Sequence, residues 1–90
     1  MRPIDYAVPL DRISHVGQGL SRPECILAQK NGALWISDDK SGVVKLSPDG
    51  TQERIGALGG APNGIAMDKD GSFVVANIDA GSLQRLNRDG

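Results

Sequence analysis

The side chains best suited to chemistry in this sequence are two oxygen donors set at a fixed interval. Glu24 stands in Pro23-Glu24-Cys25-Ile26 and Asn63 in Pro62-Asn63-Gly64-Ile65, with the two prolines 39 residues apart. A carboxylate and an amide oxygen are donors of the kind a hard cation takes. Each also has a plain reading: Glu24 as a solvated rim residue, Asn63 as a turn-favouring residue before glycine. The other reactive types stand alone. Cys25 is the sole cysteine and lies in an apolar run, where a small buried hydrophobe is expected. His15, the sole histidine, falls in a segment expected at the surface. There is no zinc-ligand cluster, no phosphate-cradling loop and no serine triad, and Gly56, Gly59 and Gly60 do not make a dinucleotide fingerprint. Asp49, Asp70 and Asp89 each precede glycine and read as turn residues, as do Asp38 and Asp79. No catalytic residue is assigned.

The interval that relates Glu24 to Asn63 is an internal repeat. At offset 39, Pro23/Pro62, Ile26/Ile65, Lys30/Lys69, Gly32/Gly71 and Gly42/Gly81 match; after one inserted residue, Leu46/Leu86, Asp49/Asp89 and Gly50/Gly90 match at offset 40. A period near 40 with short strands inside it suits a four-stranded propeller blade.

Strand signals fit that period. Cys25–Ala28, Leu34–Ser37, Val43–Leu46 and Thr51–Ile55 form the first unit, and Ile65–Met67, Phe73–Ala76 and Leu83–Leu86 the second. Asn31-Gly32, Ser41-Gly42, Pro48-Asp49-Gly50 and Asp70-Gly71 supply the turns between them. No stretch carries a useful 3.6-residue periodicity. The first two strands of a unit are apolar on both faces, as for strands covered on both sides. The fourth carries Gln52, Glu53 and Arg54, which suits an outer edge. Residues 12–16 read as an outer strand ahead of the first blade, 23–58 as that blade, 62–90 as an incomplete second blade and 1–11 as a lead-in. The chain reads as a piece of a larger propeller.

Bulk properties narrow the function classes. Ninety residues allow one small domain, and a chain of this size buries about 60% of its unfolded surface. Only Tyr6, Trp35 and Phe73 are aromatic, while 12 glycines and 5 prolines suit a turn-rich β chain. A net charge of −1, with Lys and Arg scattered, argues against nucleic acid and against a polybasic membrane patch. No segment has signal-peptide or membrane-span character, so a soluble cytoplasmic location is expected.

Gly19-Leu20-Ser21-Arg22-Pro23-Glu24-Cys25 with Gly32-Ala33-Leu34-Trp35-Ile36-Ser37-Asp38, followed by Pro62-Asn63-Gly64-Ile65-Ala66 with Asp70-Gly71-Ser72-Phe73, resembles the opening of SMP-30/gluconolactonase/LRE-like (regucalcin-type) proteins. The resemblance covers about residues 12–90. It implies an all-β fold of antiparallel four-stranded blades, about two blades of a six-bladed propeller. It also implies a central divalent cation, calcium being the family's usual one, with Glu24 as a metal ligand and Asn63 as a further ligand or a substrate contact. The implied activity is metal-dependent hydrolysis of lactone-like esters. The family's later Asn ligand and its Asp, ligand and general base, have no counterpart in these residues. The chain alone is therefore expected to be inactive, and whether it is an enzyme stays open. Two other functions are open: a non-catalytic propeller scaffold for binding, and a lyase of the streptogramin-opening type. Unpaired strands and open faces lead to an expectation of self-association.

Overall fold

A computed structural model of the chain describes Asp5 and residues 7–90; of the lead-in assigned to 1–11, residues 1–4 and Tyr6 lie outside the described residues. The fold is all-β and antiparallel. Sheet 1 is a meander of β1 (Ile26–Ala28), β2 (Leu34–Ser37), β3 (Val43–Leu46) and β4 (Gln52–Ile55). Sheet 2 is a meander of β5 (Pro62–Met67), β6 (Phe73–Asn77) and β7 (Ser82–Leu86). A 3-10 turn at Leu10–Arg12 precedes them. No helix among the described residues is long and apolar enough to cross a membrane.

One turn design closes three of the hairpins. In Gln29–Ala33, Ser47–Thr51 and Asp68–Ser72, a glycine N–H donates three residues back, to Gln29, Ser47 and Asp68. The side chains of Asn31, Asp49 and Asp70 accept the N–H two residues ahead, at 2.9–3.0 Å. Gly32, Gly50 and Gly71 have φ of 90°, 90° and 87°, a region that L side chains avoid. The Asx acceptor and the glycine thus set each hairpin locally, before any tertiary contact.

The strand period of two gives each sheet an inner and an outer face. Leu27, Trp35, Val43 and Ile55 turn one face of sheet 1 toward Ile65, Phe73, Val75 and Leu86 of sheet 2, and together they make the core. Trp35 and Phe73 meet at 5.2 Å between ring centroids with a 52° tilt, a favourable aromatic arrangement. Lys45 Nζ and the Arg88 guanidinium lie 5.2 and 4.6 Å from the Trp35 ring, within cation–π range. Trp35 is buried, as its place in the core requires, with its indole N–H unpartnered among the described residues.

Two expectations need correction. Residues 12–16 form no strand: Arg12 ends the 3-10 turn and Ile13 is extended without a sheet partner. No edge hydrogen-bonds to this segment, because the residues that follow it are drawn onto the outward face of sheet 1. There Gln18 exchanges two hydrogen bonds with the Gln52 side chain, and Gly19 O accepts from Arg54. The first strand of the first unit is also not covered on both sides. Ile26 is 56% exposed, because β1 is an edge strand with nothing over its outer face. The fourth strand is polar and outermost in its sheet, with Glu53 and Arg54 exposed and only Ile55 buried.

Candidate functional site

Glu24 lies just ahead of β1 and is placed through the backbone. The Ser37 hydroxyl at the end of β2 accepts from Glu24 N at 3.1 Å and Cys25 N at 2.9 Å. Ser37 is fully buried, so this anchor is shielded from water. Arg22, two residues earlier, has φ of 49°, the one positive value at a non-glycine among the described residues. Left-handed backbone of this kind costs a side-chain-bearing residue about 1–2 kcal/mol. Its guanidinium reaches Glu24 Oε1 at 3.2 Å.

Asn63 comes to the same place from sheet 2. Between Pro62, paired with Asn77, and Ile65, paired with Val75, the register of β5 slips. Asn63 and Gly64 therefore oppose the single residue Ala76, a β-bulge, and a bulge re-aims the side chains it carries. Asn63 Nδ2 donates to Glu24 Oε2 at 2.5 Å. The two residues picked out by the repeat are in direct contact across the two sheets.

The donor set fits part of a cation shell. Both Glu24 oxygens accept from N–H groups, and half a turn of the Asn63 amide would put its oxygen where its nitrogen now sits. A carboxylate and an amide oxygen would then face one point, both of the kind calcium takes. The Arg22 charge opposes a cation there and would have to swing away. Among the described residues no group of three or more His, Cys, Asp or Glu converges on a metal position. The pair supplies two oxygens of a shell that needs six to eight.

Asp38 is more than a turn residue. Its side chain is fully buried at the end of β2, accepting from Ser21 N at 2.8 Å, the Ser41 hydroxyl at 2.9 Å and Arg54 Nε at 3.4 Å. Burial pushes its carboxyl up, but the Ser21 N–H, the Ser41 hydroxyl and the Arg54 charge together outweigh this and hold it below 3.8. Asn77 takes the equivalent position in sheet 2. Its Oδ1 accepts from Ala61 N and Ala80 N, and its Nδ2 donates to Gly59 O and Gln84 Oε1. Each buried staple ties down the segment that leads into its own unit and thereby the proline that precedes Glu24 or Asn63. Searches against family models, curated proteins and solved structures give no match.

The remaining candidates lie apart. Cys25 is half-buried, with Sγ 3.6 Å from Ile65 O, and His15 is exposed. His15 borders a groove of about 620 Å³ between residues 15–18 and Leu34, Leu46 and Gln52, on the side of sheet 1 away from sheet 2; Glu24 and Asn63 do not line it. The positioning residues Ser37, Asp38 and Arg22 escape sequence reading. Asp38 and Asn77 share a repeat position, which was the available signal; for Ser37 and Arg22 there was none.

Proposed function

We propose that the chain is part of a metal-dependent hydrolase of the SMP-30/gluconolactonase type, acting on lactone-like esters, its two sheets being two propeller blades. The observation that carries this reading is the contact of Glu24 with Asn63, which joins equivalent positions of consecutive repeats on two adjacent sheets. A divalent cation held by such a shell would polarise the ester carbonyl and stabilise the developing oxyanion. In this reading the chain's own residues bind and orient. Glu24 supplies the charged oxygen, Asn63 turns its amide oxygen inward, and Ser37 holds the backbone that presents Glu24. No general base is assigned among these residues, and no lactonase activity is expected of them alone.

Calcium titration by calorimetry tests the reading. Weak binding that disappears in Glu24→Ala and strengthens in Asn63→Asp, which adds a second carboxylate, supports it. Binding heats unchanged in Glu24→Ala would sink it. A second reading, a non-catalytic scaffold, is favoured by the Arg22–Glu24 ion pair, which already neutralises the one carboxylate of the pair. No calcium uptake even in Arg22→Ala would decide for the scaffold.

A further inference from the structure

Arg22 keeps a backbone that its residue type disfavours. Its φ of 49° is positive, and the ten other positive-φ residues among those described are all glycine. Pro23 sharpens the conflict, because the residue before a proline favours extended backbone. The conformation is imposed from both sides. Ser21 N donates to Asp38 Oδ1 at 2.8 Å, Asp39 N donates to Ser21 O at 3.0 Å, and Glu24 N donates to the Ser37 hydroxyl at 3.1 Å. A glycine at position 22 would meet the same anchors without strain.

The side chain does not offset that strain within the chain. One nitrogen, Nη2, reaches one oxygen, Glu24 Oε1, at 3.2 Å, and the two side chains are 57% and 39% exposed. An exposed ion pair with a single contact contributes less than left-handed backbone costs. The remaining N–H groups of the guanidinium meet no acceptor among the described residues. Strain that the neighbours impose and no internal contact offsets points to a ligand for the side chain.

We infer that Arg22 is a specificity-determining residue that binds a carboxylate group of the ligand at the Glu24–Asn63 site. Its present partner is already a carboxylate, and a planar guanidinium takes a carboxylate through two parallel hydrogen bonds. The Glu24 charge repels an anionic ligand and the Arg22 charge repels a cation, so each visitor releases the residue that the other needs. Cation and carboxylate therefore bind more tightly together than apart, each raising the affinity of the other by the same factor. On the proposed function, on which the identity of the ligand rests, the lactone-like substrate carries an acid group besides its ester carbonyl.

Acetate titration of the chain tests this, read by nuclear magnetic resonance from the backbone amide of residue 24 and the side-chain amide of Asn63. Ionic strength is held constant, because exposed charges are screened by salt. With a chelator present, Glu24→Gln is expected to bind acetate about tenfold more tightly than the wild type, since the competing carboxylate is gone. Arg22→Gly is expected to lose the acetate response and to melt at a higher temperature than the wild type. Calcium in place of the chelator should tighten acetate binding in the wild type and not in Arg22→Gly. An acetate response kept in Arg22→Gly, or a melting temperature no higher than the wild type's, overturns the inference. So does a larger response to inorganic phosphate than to acetate, which would give the residue to a different class of ligand. A gain in Glu24→Gln without any effect of calcium supports the role of Arg22 and sinks the cation reading alone.

Discussion

Asp38 and Asn77 hold equivalent loops with different charge, which makes them a natural comparison. In both, a buried oxygen accepts a backbone N–H from the segment leading into its unit. Removing the side chain at either position strands those donors, at about 1–3 kcal/mol for each buried group left unpaired. Asp38→Ala is therefore expected to lower unfolding stability by at least that much in urea titration. Asp38→Asn should lose less, because the second repeat already uses an amide at this place. The charge also sets a pH dependence. Asp38, Asp49 and Asp70 all have carboxyls held below the ordinary 3.8; for Asp38 burial pushes upward and is outweighed by its donors, while for Asp49 and Asp70 the hydrogen bonds from Thr51 and Ser72 dominate. The unfolded chain then binds more protons than the native one in acid. Their contribution is complete above 3.8 and drains away as pH falls through the lower native values. Acid unfolding followed by circular dichroism should begin at higher pH in Asp38→Ala than in the wild type.

At the scale of elements, the connection between the sheets is shaped by two adjacent glycines with the same backbone and different surroundings. Gly59 has φ of 67° and Gly60 of 65°; a Cβ on Gly59 would meet nothing within 4 Å, whereas one on Gly60 would come to 2.5 Å from Asn77 Oδ1. Gly59→Ala should cost the left-handed strain alone, about 1–2 kcal/mol. Gly60→Ala should cost clearly more, because Asn77 must give up its place against Ala61 N as well. Thermal unfolding of the two variants side by side separates strain from collision. Equal melting temperatures would mean that the Asn77 staple is not what the glycine protects. The hairpins themselves were legible in advance, since Asn31-Gly32, Asp49-Gly50 and Asp70-Gly71 name their turns by residue type. The bulge at Asn63-Gly64 was not, because it comes from how β5 aligns with β6.

At the scale of the whole molecule, one apolar layer between two sheets carries the fold. Phe73 is completely buried in it and meets Trp35 in a tilted ring contact. Phe73→Ala should cost about 3–5 kcal/mol, a large part of the 5–15 kcal/mol typical of a small domain. Loss of the cooperative transition in chemical denaturation is the expected outcome, whereas Phe73→Leu should keep it with a lower midpoint. On the outward face of sheet 1 Ile36, Val44 and Leu46 are buried as well, whereas Ile26 on that face and Leu83 on the outward face of sheet 2 are exposed.

The sequence by itself determined the seven strands of the two sheets, their order and the Asx-glycine turns, though not the fate of residues 12–16. Alternating apolar residues and Asx-glycine pairs act over a few positions, and the 39-residue interval repeats them. It also singled out Glu24 and Asn63, because a repeat places equivalent residues in equivalent positions. Only the tertiary structure decided that these two side chains touch, that Arg22 shares the carboxylate and that Asp38 is a buried staple. It alone left residues 13–16 without a partner and β1 open. Each of those outcomes depends on which faces and edges meet, and faces and edges meet only after the strands have formed.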